Sequence, residues 1–329
     1  VHIRYLHIFL FTLLSLGSHS TRSWAGADPK LFPRPAEIER DVLFWTKIFA
    51  EVDTKHGLIH DDWNLAIIYE KIQLPRGVSR RIQQRYIKKV KARYKNILLK
   101  LGKGKRKGLS REEQRVLDLW GTGTSNKTFR KAAGRLRFQL GQADKFLAGY
   151  KRSGAWRNHI LKTLDDMGLP KEIANLPHVE SSFNAKAYSK VGAAGLWQFI
   201  RSTGRRFMRV DHIVDERMDP FKATVAAARL LENNYAVTGT WPLALTAYNH
   251  GAAGMRNAAR RLGTTDIVTI LRKYNHRMFK FASRNFYVAF LAVNDVDAKA
   301  EEYFGPIQMD PEIKDEIIVL DDYIPAKKV

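Results

Sequence analysis

Apolar residues in this chain recur every third or fourth position over one segment after another, which places them on single helix faces. Ile38, Val42, Trp45 and Phe49 do so over residues 37–52; Ile82, Tyr86, Val90, Tyr94 and Ile97 or Leu98 do so over 80–101. From about Ala155 the predicted helices become shorter and richer in alanine: 156–167, 171–180 with Pro177 inside it, 219–235, 241–248, 252–262, 265–273 and 283–298. Ser110 with Glu113 three residues on makes a capping box, and Asp219 before Pro220 makes an N-cap with proline at the first helical position. Strand signals are weak until Ile317-Ile318-Val319-Leu320, so the expected fold is all-α with irregular connections. A chain of 329 residues with 45% apolar content can build cores for about two domains, which excludes wholesale disorder.

Charge divides the chain. The formal net charge is +23, and residues 76–115 hold 16 Lys and Arg against two acids, Glu112 and Glu113. Between Asp310 and Asp322 the balance reverses, with six acids and one Lys. The basic run is either a solvated helix face or a surface for a polyanion. With no cysteine in the chain there can be no disulfide, thiolate metal site, cysteine nucleophile or cysteine-linked lipid anchor. Arg4, an apolar run over 5–16 and Ser23-Trp24-Ala25 describe a cleavable secretory signal ending at Ala25. That run is shorter than the ~20 residues a membrane span needs, and no later segment reaches that length, so an exported, soluble protein is expected. The expected organisation is a signal over 1–25, a helical basic region over 26–150, a catalytic domain over 151–300 and an acidic tail over 301–329.

Glu180 carries the first hint of chemistry. It stands at the end of a predicted helix among apolar neighbours, where the negative end of the helix dipole and burial both raise a carboxyl pKa toward that of a general acid. Gly192-Ala193-Ala194-Gly195-Leu196-Trp197-Gln198 then lets a bulky ligand approach the backbone and ends in an amide. Ala247-Tyr248-Asn249-His250-Gly251 puts a phenol and an amide at a glycine-closed helix end. Each has a plainer structural alternative. Ser181 could cap the turn after Glu180, Gly195 could serve backbone geometry alone, and Trp197 and Tyr248 could be core. His178 and His250, without a third ligand in a metal-binding pattern, are read as structural, so neither metal nor cofactor is expected.

Glu180-Ser181, Gly195-Leu196-Trp197-Gln198, Ala247-Tyr248-Asn249 and Tyr287-Val288, in this order, resemble the lytic transglycosylases of the soluble-transglycosylase (SLT, goose-lysozyme-like) type. The likeness runs over roughly 155–300 and points to the family-1 membrane-bound lytic murein transglycosylase D group. It implies an α+β lysozyme-like catalytic domain behind a helical N-terminal region. It also implies non-hydrolytic cleavage of the MurNAc-β-1,4-GlcNAc bond of peptidoglycan to 1,6-anhydromuramoyl ends, in the periplasm. Glu180 matches the family's single acid/base. Ser181, Ser189, Gly195, Leu196, Gln198, Tyr248, Asn249 and Tyr287 match its substrate-side positions. No second carboxylate stands in a matching motif, although Asp165, Asp166, Asp211, Asp215, Glu216 and Asp219 are available; the family uses the substrate's own 2-acetamido group instead.

The chain lacks the LysM repeats and anchor cysteine frequent in that group, so wall attachment is expected from the groove, the basic region or a partner. A goose-type lysozyme, which hydrolyses the same substrate, and a non-catalytic wall-binding protein remain the alternatives. Nucleic-acid binding is suggested by charge only and opposed by the export signal.

Overall fold

The computed structural model describes residues 27–314. The expected signal over 1–25 and the strand signal at 317–320 both lie outside these. The described chain is mostly helical: α1 (Ala36–Ala50), α2 (Arg80–Gly102), α3 (Arg111–Trp120), α4 (Asn126–Ala132), α5 (Ala143–Ser153), α6 (Arg157–Asp166) and α7 (Leu176–Glu180) precede α8 (Arg201–Gly204), α9 (Pro220–Thr238), α10 (Trp241–His250), α11 (Ala252–Leu262), α12 (Ile267–Lys273), α13 (Phe281–Ala298) and α14 (Ala300–Phe304). Cap chemistry sets several of these ends. Ser110 and Glu113 form the reciprocal capping box of α3, and the Asp219 carboxylate accepts from the Phe221 and Lys222 amides at the start of α9. The expected helix over 171–180 divides into a 3-10 turn, Lys171–Asn175, and α7, because Pro177 has no amide hydrogen and fits only the first helical turn.

The all-α expectation misses a small sheet. Strands β1 (His56–Asp61), β2 (Ile68–Gln73) and β3 (Leu136–Leu140) form an antiparallel sheet in the order β2-β1-β3. β1 is buried on both faces, with Leu58 in one core and Ile59 in the other, so it shows no polar alternation. An irregularity between Ile59 and His60 shifts the register with β2 and breaks the pattern further.

Two cores flank the sheet. The smaller joins α2, α3, α4 and the sheet through Tyr69, Tyr94, Leu98, Val116 and Phe129. The larger is organised around α13, which is buried along nearly its whole length and packs on α1, α7 and α10. Phe32, Val42, Trp45, Phe49, Leu58 and Leu65 belong to this larger core together with residues from 146 to 296, so the hydrophobic core is continuous across position 150. On α2 the buried stripe is Ile87, Val90, Tyr94, Ile97, Leu98 and Leu101; Ile82 is 46% exposed, since the first turns run beyond the core. The first part of the tail is docked, its Asp310 and Ile313 amides donating to the Lys151 and Ala155 carbonyls. No helix among the described residues is long and apolar enough to cross a membrane.

Candidate active site

α7 is a five-residue helix whose last residue is Glu180. It is held from behind by buried polar groups. His178 stacks on Phe146 with ring centroids 4.2 Å apart, and its Nε2 lies 3.3 Å from Asp297 Oδ1, which also accepts from Arg157 at 2.5 Å. After Glu180 the chain turns sharply. Ser182 and Phe183 have φ of +51° and +53°, and with Gln198 they are the non-glycine residues in the left-handed region among those described. Phe183 is buried against His178, while Arg152 of α5 donates to the Ser182 carbonyl at 2.6 Å. Gly149 leaves room for that turn, since a Cβ there would lie 2.7 Å from the Ser182 oxygen.

Glu180 is partly buried and makes no hydrogen bond or ion pair among the described residues. Loss of solvation pushes its carboxyl up to about 8, so it is protonated at neutral pH. It lines three adjoining cavities. The largest, about 570 Å³, brings Glu180 together with Ser189, Gln198, Tyr248 and Asn249. Among the described residues no other carboxylate lines any of the three. Of the acids available in the sequence, Asp165 is exposed and lines none of these cavities, and the others are engaged elsewhere: Asp166 with Lys162, Asp211 with Arg209, Asp215 with Arg217, Glu216 with the Arg209 amide and Asp219 as a helix cap.

The small-residue loop owes its shape to one buried guanidinium. Arg217 donates to the Gly192 and Phe199 carbonyls at 2.7 and 2.8 Å and pairs with Asp215. Gly195, at φ +77°, passes so close that a Cβ would lie 1.7 Å from the Arg217 carbonyl oxygen. Gly195→Ala is therefore expected to cost about 3 kcal/mol, read as a lowered Tm, and to displace Gln198 with a loss of activity. Gln198 Nε2 donates to the Gly195 and Ala187 carbonyls, which leaves its Oε1 to accept from a ligand. Asn249 Oδ1 accepts from Ser283 Oγ at 2.8 Å and leaves Nδ2 to donate. Tyr248 Oη donates to the Trp197 carbonyl at 2.8 Å, and Ser189 Oγ accepts from the Ala193 amide.

Other expected positions serve the frame. Ser181 Oγ donates to the Leu196 carbonyl at 2.7 Å, joining the Glu180 turn to the loop, and Ser181 lines a neighbouring cavity with Lys145 and Arg152. Leu196 and Trp197 are core, the indole donating to Thr224. Tyr287 is not brought to the cavities: it is fully buried and its hydroxyl donates to the Pro33 carbonyl at 2.8 Å. Its neighbour Phe286 lines the groove instead.

Sequence reasoning missed one whole wall. The third cavity, about 260 Å³, is lined by Trp45 and Phe49 of α1, Arg137 and Gln139 of β3, Gln142, and Phe281, Asn285 and Phe286 of α13. Trp45 Nε1 donates to Asn285 Oδ1 at 3.2 Å across this wall. The region without a visible motif thus completes the groove beside Glu180.

A lone, desolvated glutamate at the end of a short helix is faced here by amides in a groove within a mostly helical fold, and residues 159–270 match the transglycosylase SLT domain family over this stretch. Among curated proteins the chain is similar to membrane-bound lytic murein transglycosylase D of Escherichia coli strain K12, 37% identical over 94 residues, covering 28% of this chain and 21% of that protein. The same protein of Escherichia coli O6:H1 (strain CFT073) matches at the same identity and coverage. A protein of Alteromonas sp. (strain M-1) named for tributyltin chloride resistance is 33% identical over 102 residues, 30% of this chain and 49% of that protein. The likeness therefore spans about a fifth of the two murein transglycosylases and about half of the third relative.

Proposed function

We propose that this protein is a peptidoglycan lytic transglycosylase, with Glu180 as its single acid and then base. The observation that carries this is the isolation of Glu180: it is protonated at neutral pH, faces the groove and has no second carboxylate beside it. Glycosidases that work with two carboxylates place them about 5–10 Å apart, and that partner is lacking along these cavities. As the C1–O bond breaks, Glu180 gives its proton to the glycosidic oxygen. The muramoyl 6-hydroxyl oxygen then bonds to C1 and its proton passes to the Glu180 carboxylate, which closes the cycle without water. The substrate's 2-acetamido group shields C1, and the acceptor Gln198 Oε1, the donor Asn249 Nδ2 and Ser189 are suited to hold an acetamido-sugar. The decisive experiment is digestion of isolated sacculi with mass spectrometry of the products. Anhydro ends lighter by one water than hydrolysed ones support the lyase; ordinary reducing ends overturn it.

The same reading takes the protein as exported to the periplasm, with a signal removed after Ala25. On α2 and the loop after it, Arg85, Lys88, Lys89, Lys95, Lys103 and Lys105 are exposed and form no ion pair within the described residues. We assign this face to electrostatic attachment to the anionic wall. Sacculus pull-down is expected to weaken steeply as salt rises from about 0.05 to about 0.5 M, and salt-independent binding would overturn the assignment.

A further inference from the structure

Arg137 is a cation placed in the groove without a carboxylate of its own. It sits on β3 opposite His60 of β1, and its guanidinium lies over the Phe281 ring, 3.8 Å from the centroid. Its side chain makes no hydrogen bond or ion pair among the described residues, yet it lines the same cavity as Glu180 and Asn249. Three cations at this end, Arg137, Lys91 and Arg284, share one nearby acid, Asp62. Arg284 is already engaged, donating to the Asp62 carbonyl and lying over the Trp63 ring. The other acid near Arg284, Asp41, is paired with Arg272. This end of the groove is therefore positive, and besides Glu180 the other polar side chains of that cavity, Gln139, Gln142, Asn249 and Asn285, are neutral amides.

Neutral amides suffice for sugar hydroxyls and acetamido groups. A planar guanidinium presenting parallel donors matches a carboxylate. We propose that Arg137 is a specificity-determining residue that receives a carboxylate of the peptide branch carried by the glycan strand. This rests on the glycan-cleaving reading above, and it places a branch-bearing sugar in the cavity shared with Glu180.

The test compares wild type, Arg137→Gln and Arg137→Lys on peptide-bearing glycan strands and on the same strands stripped of their peptides by an amidase. Product release gives kcat and KM for each. The ratio of kcat/KM on peptide-bearing to stripped strands is expected to fall about tenfold in Arg137→Gln, through KM, the size of one charge-assisted hydrogen bond. Arg137→Lys, which keeps the charge without the fork, is expected to recover part of that ratio. A ratio that does not move, or an equal loss on both strands, overturns the proposal while leaving the cleavage reading intact. Wild type releasing no product from either strand would instead sink the cleavage reading itself.

Discussion

Replacing Glu180 by Gln is expected to lower muropeptide release on the order of 10²–10⁴-fold while leaving sacculus binding in place, since general acid–base transfer contributes about that much. Gln keeps the volume and polarity of the side chain and removes only the transferable proton. The wild-type pH profile should carry the same signature: kcat/KM falls as pH rises through about 8, where burial has moved the Glu180 carboxyl. Unaltered release by the variant would overturn the assignment. The substitution should also stabilise the fold, in a direction that linkage fixes. An unfolded glutamate titrates near 4.5 and the folded one near 8, so above 4.5 the unfolded chain sheds a proton that the folded chain retains. Wild-type stability is thus undiminished below about 4.5 and declines as pH rises toward about 8. Glu180→Gln, with nothing to ionise, escapes that decline. Its Tm should exceed the wild-type value by more at about pH 9 than at about pH 5, by the equivalent of roughly 1–3 kcal/mol. Activity gained at the expense of stability is common where an ionisable group is held in a dry site.

How far the sequence discloses this site depends on whether its parts are local. Glu180, Gln198, Tyr248 and Asn249 sit in short runs whose composition already suggests chemistry, and the structure gathers them round one cavity. Helix limits set by Ser110 and Asp219 are legible for the same reason, because a cap is a contact between near neighbours. Tyr287 shows the limit of motif carry-over. One step along α13 turns a side chain by about 100°, so Phe286 faces the groove while Tyr287 is locked to Pro33 in the core. Arg217 and Gly195 meet through a backbone approach that neither residue announces alone. The second wall is the least legible part. Trp45, Arg137 and Phe281 converge from positions more than ninety residues apart, two of them on helices that look like ordinary core helices and one on a strand whose alternation lasts only five residues. The packing of α1 on α13, and the contacts of His60 and Arg137 from the sheet with Phe281, bring them to Glu180.

Loss of Asp297 is expected to be the most damaging single change to the fold. Its carboxylate is 1% exposed; it accepts from Arg157, whose side chain is 15% exposed, and lies within 3.3 Å of the wholly buried His178. Burial by itself would raise the Asp297 pKa, but the charge of Arg157 and the hydrogen bond to His178 outweigh it and hold the group down at about 2. Asp297→Ala removes the compensating charge and leaves the cost of burying a guanidinium, which typically amounts to about 3–5 kcal/mol. A fall in Tm on the order of 10 °C should follow. Asp297→Asn, which retains the shape and one acceptor, should fall between the two. The pH dependence separates this cluster from Glu180. Asp297, with its pKa depressed, contributes stability above the unfolded value of 3.8 that is lost as pH drops toward about 2. His178, kept neutral by burial, adds an earlier loss, because below 6.5 the unfolded chain takes up a proton that the folded chain resists. Acid therefore loosens the support behind α7, whereas alkali strains Glu180 at its tip. His178 precedes Glu180 by only two residues on a helix of five, so loosening the support also misplaces the acid. In Asp297→Asn, kcat at neutral pH should drop by more than the unfolded fraction accounts for, with KM little changed. A variant whose activity simply tracks its folded fraction would show that the cluster stabilises the fold without positioning the Glu180 carboxyl.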